Sequence, residues 1–86
     1  MTNIREKIID AFHETLEFRE LKLRCELRDD AVLLETGLDS LGFAILVAKL
    51  DQELGYDPFI LMEEPCYPRT FGEFVEIYVR FQDHAK

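Results

Sequence analysis

Cysteine is scarce in this chain. Cys25 and Cys66 are single and far apart, so they supply neither the spacing of a metal site nor a paired disulfide framework. Each reads more simply as a small apolar residue of the interior. Two thiols in an acidic domain without a secretory leader point to a reducing, cytoplasmic setting. Long apolar runs are also missing. The longest, Phe43 to Ala48, falls far short of the roughly 20 residues that a membrane span needs. The first residues, Met1-Thr2-Asn3-Ile4-Arg5-Glu6, mix charges from the outset and lack the apolar stretch of a signal peptide. Repeats, low-complexity tracts and linkers are absent, and 86 residues make a single domain, 1–86, with one core. A chain this short buries only about 60–65% of the surface its unfolded form exposes. Such a core cannot enclose a deep substrate pocket together with a catalytic constellation. No nucleophile–base pair or metal cluster stands out either, so a carrier or binding module is favoured over an enzyme.

Positive charge is scarce where it would matter for nucleic acid. The formal net charge is −8, and its placement is uneven. Residues 1–28 hold six basic and six acidic side chains, and residues 69–86 hold three of each. Residues 29–68 carry one base, Lys49, against Asp29, Asp30, Glu35, Asp39, Asp51, Glu53, Asp57, Glu63 and Glu64. The middle of the chain therefore holds all the net charge, which repels nucleic acid. It would steer a basic protein partner toward that segment, or serve only as a solvated face.

What is present is a helical pattern. Apolar residues at 48%, with seven Phe and three Tyr, are ample for a folded core. A first helix is expected from Thr2 or Asn3 to near Phe18. Asn3 and Glu6 have capping-box spacing, and Ile4, Ile8, Ala11, Phe12 and Thr15 recur at helical intervals, with Ile9 and Leu16 widening the stripe. Residues 20–27 alternate charged and apolar side chains, the mark of an extended segment with one buried face. No second run of this kind exists to pair with it, so it is expected to be a connector laid across helices, with a short strand pairing with another copy of the chain as the alternative. Leu33-Leu34-Glu35-Thr36-Gly37 suits a single helical turn broken by the glycine.

A second helix is expected from Ser40 to Leu54, with Asp39 or Ser40 as its cap and Gly55 just beyond its end. Pro58, Pro65 and Pro68 leave space for a short helix around Phe59–Glu64. Thr70 and Glu73 then have capping-box spacing before an apolar stripe of Phe71, Phe74, Val75, Tyr78 and Val79. The expected fold is all-α, a small four-helix bundle of three main helices and one short one, with a long loop between the first two.

The segment Gly37-Leu38-Asp39-Ser40-Leu41 stands at the start of the second helix, near mid-chain, in an acidic helical domain. With that motif in that context, the chain resembles the free-standing acyl carrier proteins of the phosphopantetheine-binding family, over nearly its whole length. The resemblance implies that Ser40 receives a 4'-phosphopantetheine arm from coenzyme A through a phosphopantetheinyl transferase. It implies that Asp39 and the start of the second helix are read by that enzyme, and that acyl-loading ligases or synthases are further partners of a monomeric protein. A phosphodiester on Ser40 would lie where the free N–H groups and positive dipole end of a helix favour an anion.

At ~100° per residue, Phe43, Leu46, Val47, Leu50 and Leu54 share one face of the second helix, the expected core face. Leu41, Ala44, Ile45 and Ala48 form a nearly opposite stripe beside Ser40, which either a neighbouring element covers or, as expected from the resemblance, stands exposed as a contact patch for partner enzymes. The expected recognition surface is thus Asp39, Leu41, Ala44, Ile45, Ala48 and Asp51. Gly42 and Ile45 stand where many fatty-acid carriers have acidic or polar residues, which points away from housekeeping fatty-acid synthesis and toward a specialised pathway.

Two other readings stay open. Aminoacyl or peptidyl carriers are similar but tend to have Gly-Gly-x-Ser where this chain has Gly-Leu-Asp-Ser. An unmodified helical interaction module would use the apolar stripe alone and would tolerate alanine at position 40. His13 and His84 suit surface positions. Phe59 and Met62 suit either core packing or the wall of a cleft for an acyl chain.

Overall fold

Local sequence decides where each helix begins. The computed structural model describes residues 3–62 and 67–84. Its elements are α1 (Ile4–Phe18), a one-turn 3-10 helix (Leu33–Glu35), α2 (Ser40–Leu54), α3 (Pro58–Leu61), α4 (Phe71–Arg80) and a 3-10 turn at Gln82–His84. The fold is all-α, with three main helices, one short helix and a long loop between α1 and α2.

Asn3 caps α1, but its side chain accepts from the N–H of Arg5 at 2.8 Å, a tighter turn than the bond expected at Glu6. The helix buries Ile8, Ala11, Phe12, Thr15 and Leu16. Thr15 satisfies its hydroxyl inside the core by donating to the carbonyl of Ala11. α1 ends in a left-handed residue, Glu20 at φ 57°, with the N–H of Leu21 bonded to Leu16 O and that of Glu20 to Glu17 O. This is the Schellman arrangement, with glutamate where glycine is usual.

The connector that follows is extended but forms no strand. Leu21 and Leu27 pack against the core, whereas Leu23 and Cys25 are exposed. The expected single buried face therefore exists only at its two ends, and Cys25 is not an interior residue. A bend at Cys25 and the bond from Arg24 N–H to Thr36 O break the two-residue period. Cys66 lies outside the described residues. Further on, the loop is stitched to the start of α4: Val32 and Thr70 form an isolated antiparallel bridge, Leu33 N–H bonds to Arg69 O, and Phe71 N–H bonds to Ala31 O.

α2 and α4 begin at their expected caps. Asp39 caps α2 and Gly55, at φ 85°, closes it. Pro58 opens α3 behind the Asp57 cap. α3 stops at Leu61 because Met62 is already extended, short of the expected end at Glu64; Glu63 and Glu64 themselves lie outside the described residues. Thr70 and Glu73 form a reciprocal capping box at α4. α4 buries Phe71, Phe74, Val75, Ile77 and Tyr78. Val79 is exposed instead of buried, and Ile77 takes its place, because at ~100° per residue Val79 falls at the far edge of the face centred on Phe74 and Tyr78.

α1 packs against α2 and α4, and aromatic rings fill the space behind α2. Phe74 lies 5.5 Å from Phe43 and 5.1 Å from Tyr78, ring centre to ring centre, and Phe59 adds a stacked contact to Phe74. Phe59 is thus half-buried and packs against the core. Each fully buried Phe contributes about 1.5–3 kcal/mol of hydrophobic stabilisation. The Tyr56 hydroxyl donates to the carbonyl of Tyr78, while burial holds both phenols above their ordinary ionisation range.

Candidate functional site at the start of helix α2

The approach to α2 is fixed by three consecutive constraints. Gly37 takes φ 113°, and a Cβ there would lie 2.2 Å from the carbonyl oxygen of Lys22, so conformation and space both demand glycine. Leu38 is then buried in the core and anchors the chain. Asp39 is extended, at φ −88° and ψ 175°, and its Oδ1 accepts the N–H of Gly42 at 2.7 Å. Ser40 follows as the first helical residue, exposed to solvent. A rigid base beneath a free hydroxyl is the outcome.

Gly42 is buried on the inner side of this turn. A Cβ would meet Leu38 Cδ1 at 2.7 Å and Asp39 Oδ1 at 2.9 Å. Its presence therefore has a packing reason: the first turn of α2 lies directly on Leu38 and on the cap.

The other oxygen of Asp39 is also engaged. Arg19, at the end of α1, donates from Nη2 to Oδ2 at 2.9 Å. The Gly42 N–H first, and the Arg19 guanidinium second, hold the Asp39 carboxyl below its usual range. Each carboxylate oxygen of Asp39 thus accepts one hydrogen bond, which fixes the side chain at the start of α2. His13 is exposed on α1. No group of three or more metal-ligating side chains occurs among the described residues.

Beside Ser40 an open apolar pocket of about 260 Å³ is lined by Leu33, Leu34, Phe43, Tyr67 and Pro68. Leu34 and Tyr67 are themselves 63% and 81% exposed, and sequence reasoning did not place either at the site. Their only sequence signal is position, Leu34 in the turn before Gly37 and Tyr67 in the proline-punctuated stretch before α4.

No protein-family model, curated protein or solved structure matches this chain. The site must be read from its own chemistry.

The two faces of α2 divide much as its periodicity predicts. Leu46 and Leu50 are fully buried, and Phe43, Val47 and Leu54 pack against the core. On the other side, Leu41, Ala44 and Ala48 are exposed, as is Asp51 further along. Ile45 departs from the expected exposed stripe. It is half-buried and lines a groove between α1 and α2 with Thr15, Phe18, Ala48 and Lys49. The exposed apolar side chains of the α2 stripe are thus Leu41, Ala44 and Ala48, while Leu34 and Tyr67 line the pocket beside Ser40.

The acidic segment is also less bare than its composition suggests. Bases from outside it reach in: Arg5 pairs with Asp29 at 2.7 Å and Arg19 with Asp39. Lys49, its one base, turns to Glu14 of α1 at 2.7 Å and lies 3.9 Å from Glu53. Glu14 chiefly, with Glu53, raises the affinity of Lys49 for its proton. No helix among the described residues is long and apolar enough to cross a membrane.

Proposed function

We propose that this chain is an acyl carrier protein that bears a phosphopantetheine arm on Ser40 and presents acyl groups to partner enzymes. The observation that carries the reading is the exposed Ser40 hydroxyl at the first position of a fifteen-residue helix, directly after a capping Asp39. A phosphodiester formed there would sit at the positive end of the α2 dipole. Transfer would form a bond from Ser40 Oγ to phosphorus while the bond to the nucleotide half of coenzyme A breaks. Once attached, the arm would supply a terminal thiol that carries acyl groups as thioesters.

The described residues span 32 × 25 × 23 Å, about two helix diameters in the shorter directions. A body this thin offers a surface and a shallow apolar pocket, which suits presentation better than enclosed catalysis. The partner surface on this reading is Asp39, Leu41, Ala44, Ala48 and Asp51, with Ile45 at its margin. A specialised pathway remains part of the proposal, on the apolar stripe alone, since Gly42 has its own packing reason.

Incubation with coenzyme A and a broad-specificity phosphopantetheinyl transferase, followed by intact-protein mass spectrometry, tests the reading. One phosphopantetheine should be added to the wild type and none to Ser40→Ala. A wild type left unmodified by several competent transferases would sink it. The exposed apolar side chains Leu34, Leu41 and Tyr67 favour one alternative, an unmodified interaction module, and that module would keep its partner in the Ser40→Ala variant.

A further inference from the structure

Asp39 is the one carboxylate beside Ser40 in sequence, yet both of its oxygens are already engaged. Oδ1 serves the Gly42 N–H, and Oδ2 takes a single bond from Arg19 Nη2 at 2.9 Å. Arg19 is held in place from behind. Its backbone N–H closes the end of α1 on Thr15 O, and its side chain is only 29% exposed. Its Nε is buried with no hydrogen-bond partner among the described residues. A cation on an approaching protein therefore meets Asp39 with a positive charge already beside it.

We infer that Arg19 is a specificity-determining residue that competes with basic partners for Asp39 and so weakens charge-based reading of the α2 start. The inference rests on the carrier reading of Ser40. The contact uses one nitrogen rather than arginine's paired fork, which leaves it open to displacement. Its partners are 29% and 45% exposed, so the competition is modest and is screened by salt. Recognition then shifts toward features that Arg19 does not mask, namely exposed Leu41, Ala44 and Ala48.

The test is steady-state modification of Ser40 by a phosphopantetheinyl transferase with coenzyme A, at low ionic strength, for the wild type, Arg19→Gln and Arg19→Lys. Arg19→Gln should lower the KM for the carrier by about two- to fivefold, the range of exposed ion pairs, with kcat unchanged. Arg19→Lys, which keeps the charge, should stay near the wild type. The gain should disappear in an Asp39→Asn background, and near 1 M salt, where the screening length is about 3 Å. Helical circular dichroism should match for all variants. A KM for Arg19→Gln equal to or above the wild-type value overturns the inference, as does Arg19→Lys behaving like Arg19→Gln. A wild type that accepts no arm overturns the carrier reading and this inference with it. A modified wild type whose KM is indifferent to Arg19 overturns this inference alone.

Discussion

The starts of α2 and α4 use the same helical position for opposite ends. Both helices have a capping side chain that accepts an N–H from the first turn, Asp39 from Gly42 and Thr70 from Glu73. At α4 the cap is reciprocal, with Glu73 reaching back to the N–H groups of Arg69 and Thr70, and the first helical residue, Phe71, is wholly buried. At α2 the cap is returned by an arginine from another helix, and the first helical residue, Ser40, is exposed. One start is closed and inserted into the core. The other is anchored one residue earlier, by Leu38, so that the next hydroxyl is left free. Equivalent local chemistry thus gives a buried start and an exposed one, and the difference lies in which residue enters the core.

The sharpest way to break the comparison is to truncate both first residues. Phe71→Ala removes a fully buried ring in edge contact with Phe12, 6.1 Å away, and should cost about 3–5 kcal/mol. That is a large part of the ~5–15 kcal/mol a domain has in total. Ser40→Ala at the equivalent place in α2 should change stability by less than about 0.5 kcal/mol. Urea unfolding of the two variants would measure both, and similar losses would show that the two starts are not different in kind.

The fold was readable because its punctuation is local. Asp39, Gly55, Thr70 and Glu73 each act within a few residues, and the bounds of α2 and the cap of α4 follow from them. The core face of α2 was readable for a similar reason, since a fifteen-residue helix gives the period room to show. The ten-residue α4 gave less, and Val79 and Ile77 exchanged roles at its edge. What depends on distant chain was not legible. Arg19 and Asp39 are twenty residues apart and meet only because the long loop folds back. Gly42 reads as a weak helix former in sequence, and only the approach of Leu38 Cδ1 explains it. Leu23 and Cys25 fit an alternating pattern that the bend in the connector interrupts. The candidate site was legible in its serine and its cap, and not in the arginine that engages that cap or in the pocket wall formed by Leu34 and Tyr67.

A smaller effect separates the two caps themselves. Thr70→Ala removes the acceptor for the Glu73 N–H and leaves Glu73 to hold the box from one side only. The expected loss is about 1 kcal/mol. Chemical denaturation would register it, and a loss below ~0.3 kcal/mol would mean that the bridge to Val32 and the burial of Phe71 hold this start unaided.

Asp39→Asn should have a smaller effect than Thr70→Ala, and its interest lies in its pH dependence. Asparagine caps helices about as well as aspartate, so the bond to the Gly42 N–H survives. What is lost is the negative charge that faces Arg19 and the α2 dipole. Because the folded carboxyl is held below the ordinary 3.8, folding favours its charged form. That contribution is complete above the unfolded value and fades as pH falls through the lower folded one. At neutral pH the wild type should therefore melt slightly above Asp39→Asn, and the gap should close as acid protonates Asp39. Thr70 has no titrating group, so the stability difference between wild type and Thr70→Ala should lack this acid-side closure. Thermal midpoints measured for wild type and both variants, at neutral pH and below pH 3.8, decide the matter. A gap for Asp39→Asn that persists unchanged in acid would show that the charge of Asp39 does not stabilise the start of α2, and that its cap works by hydrogen bonding alone.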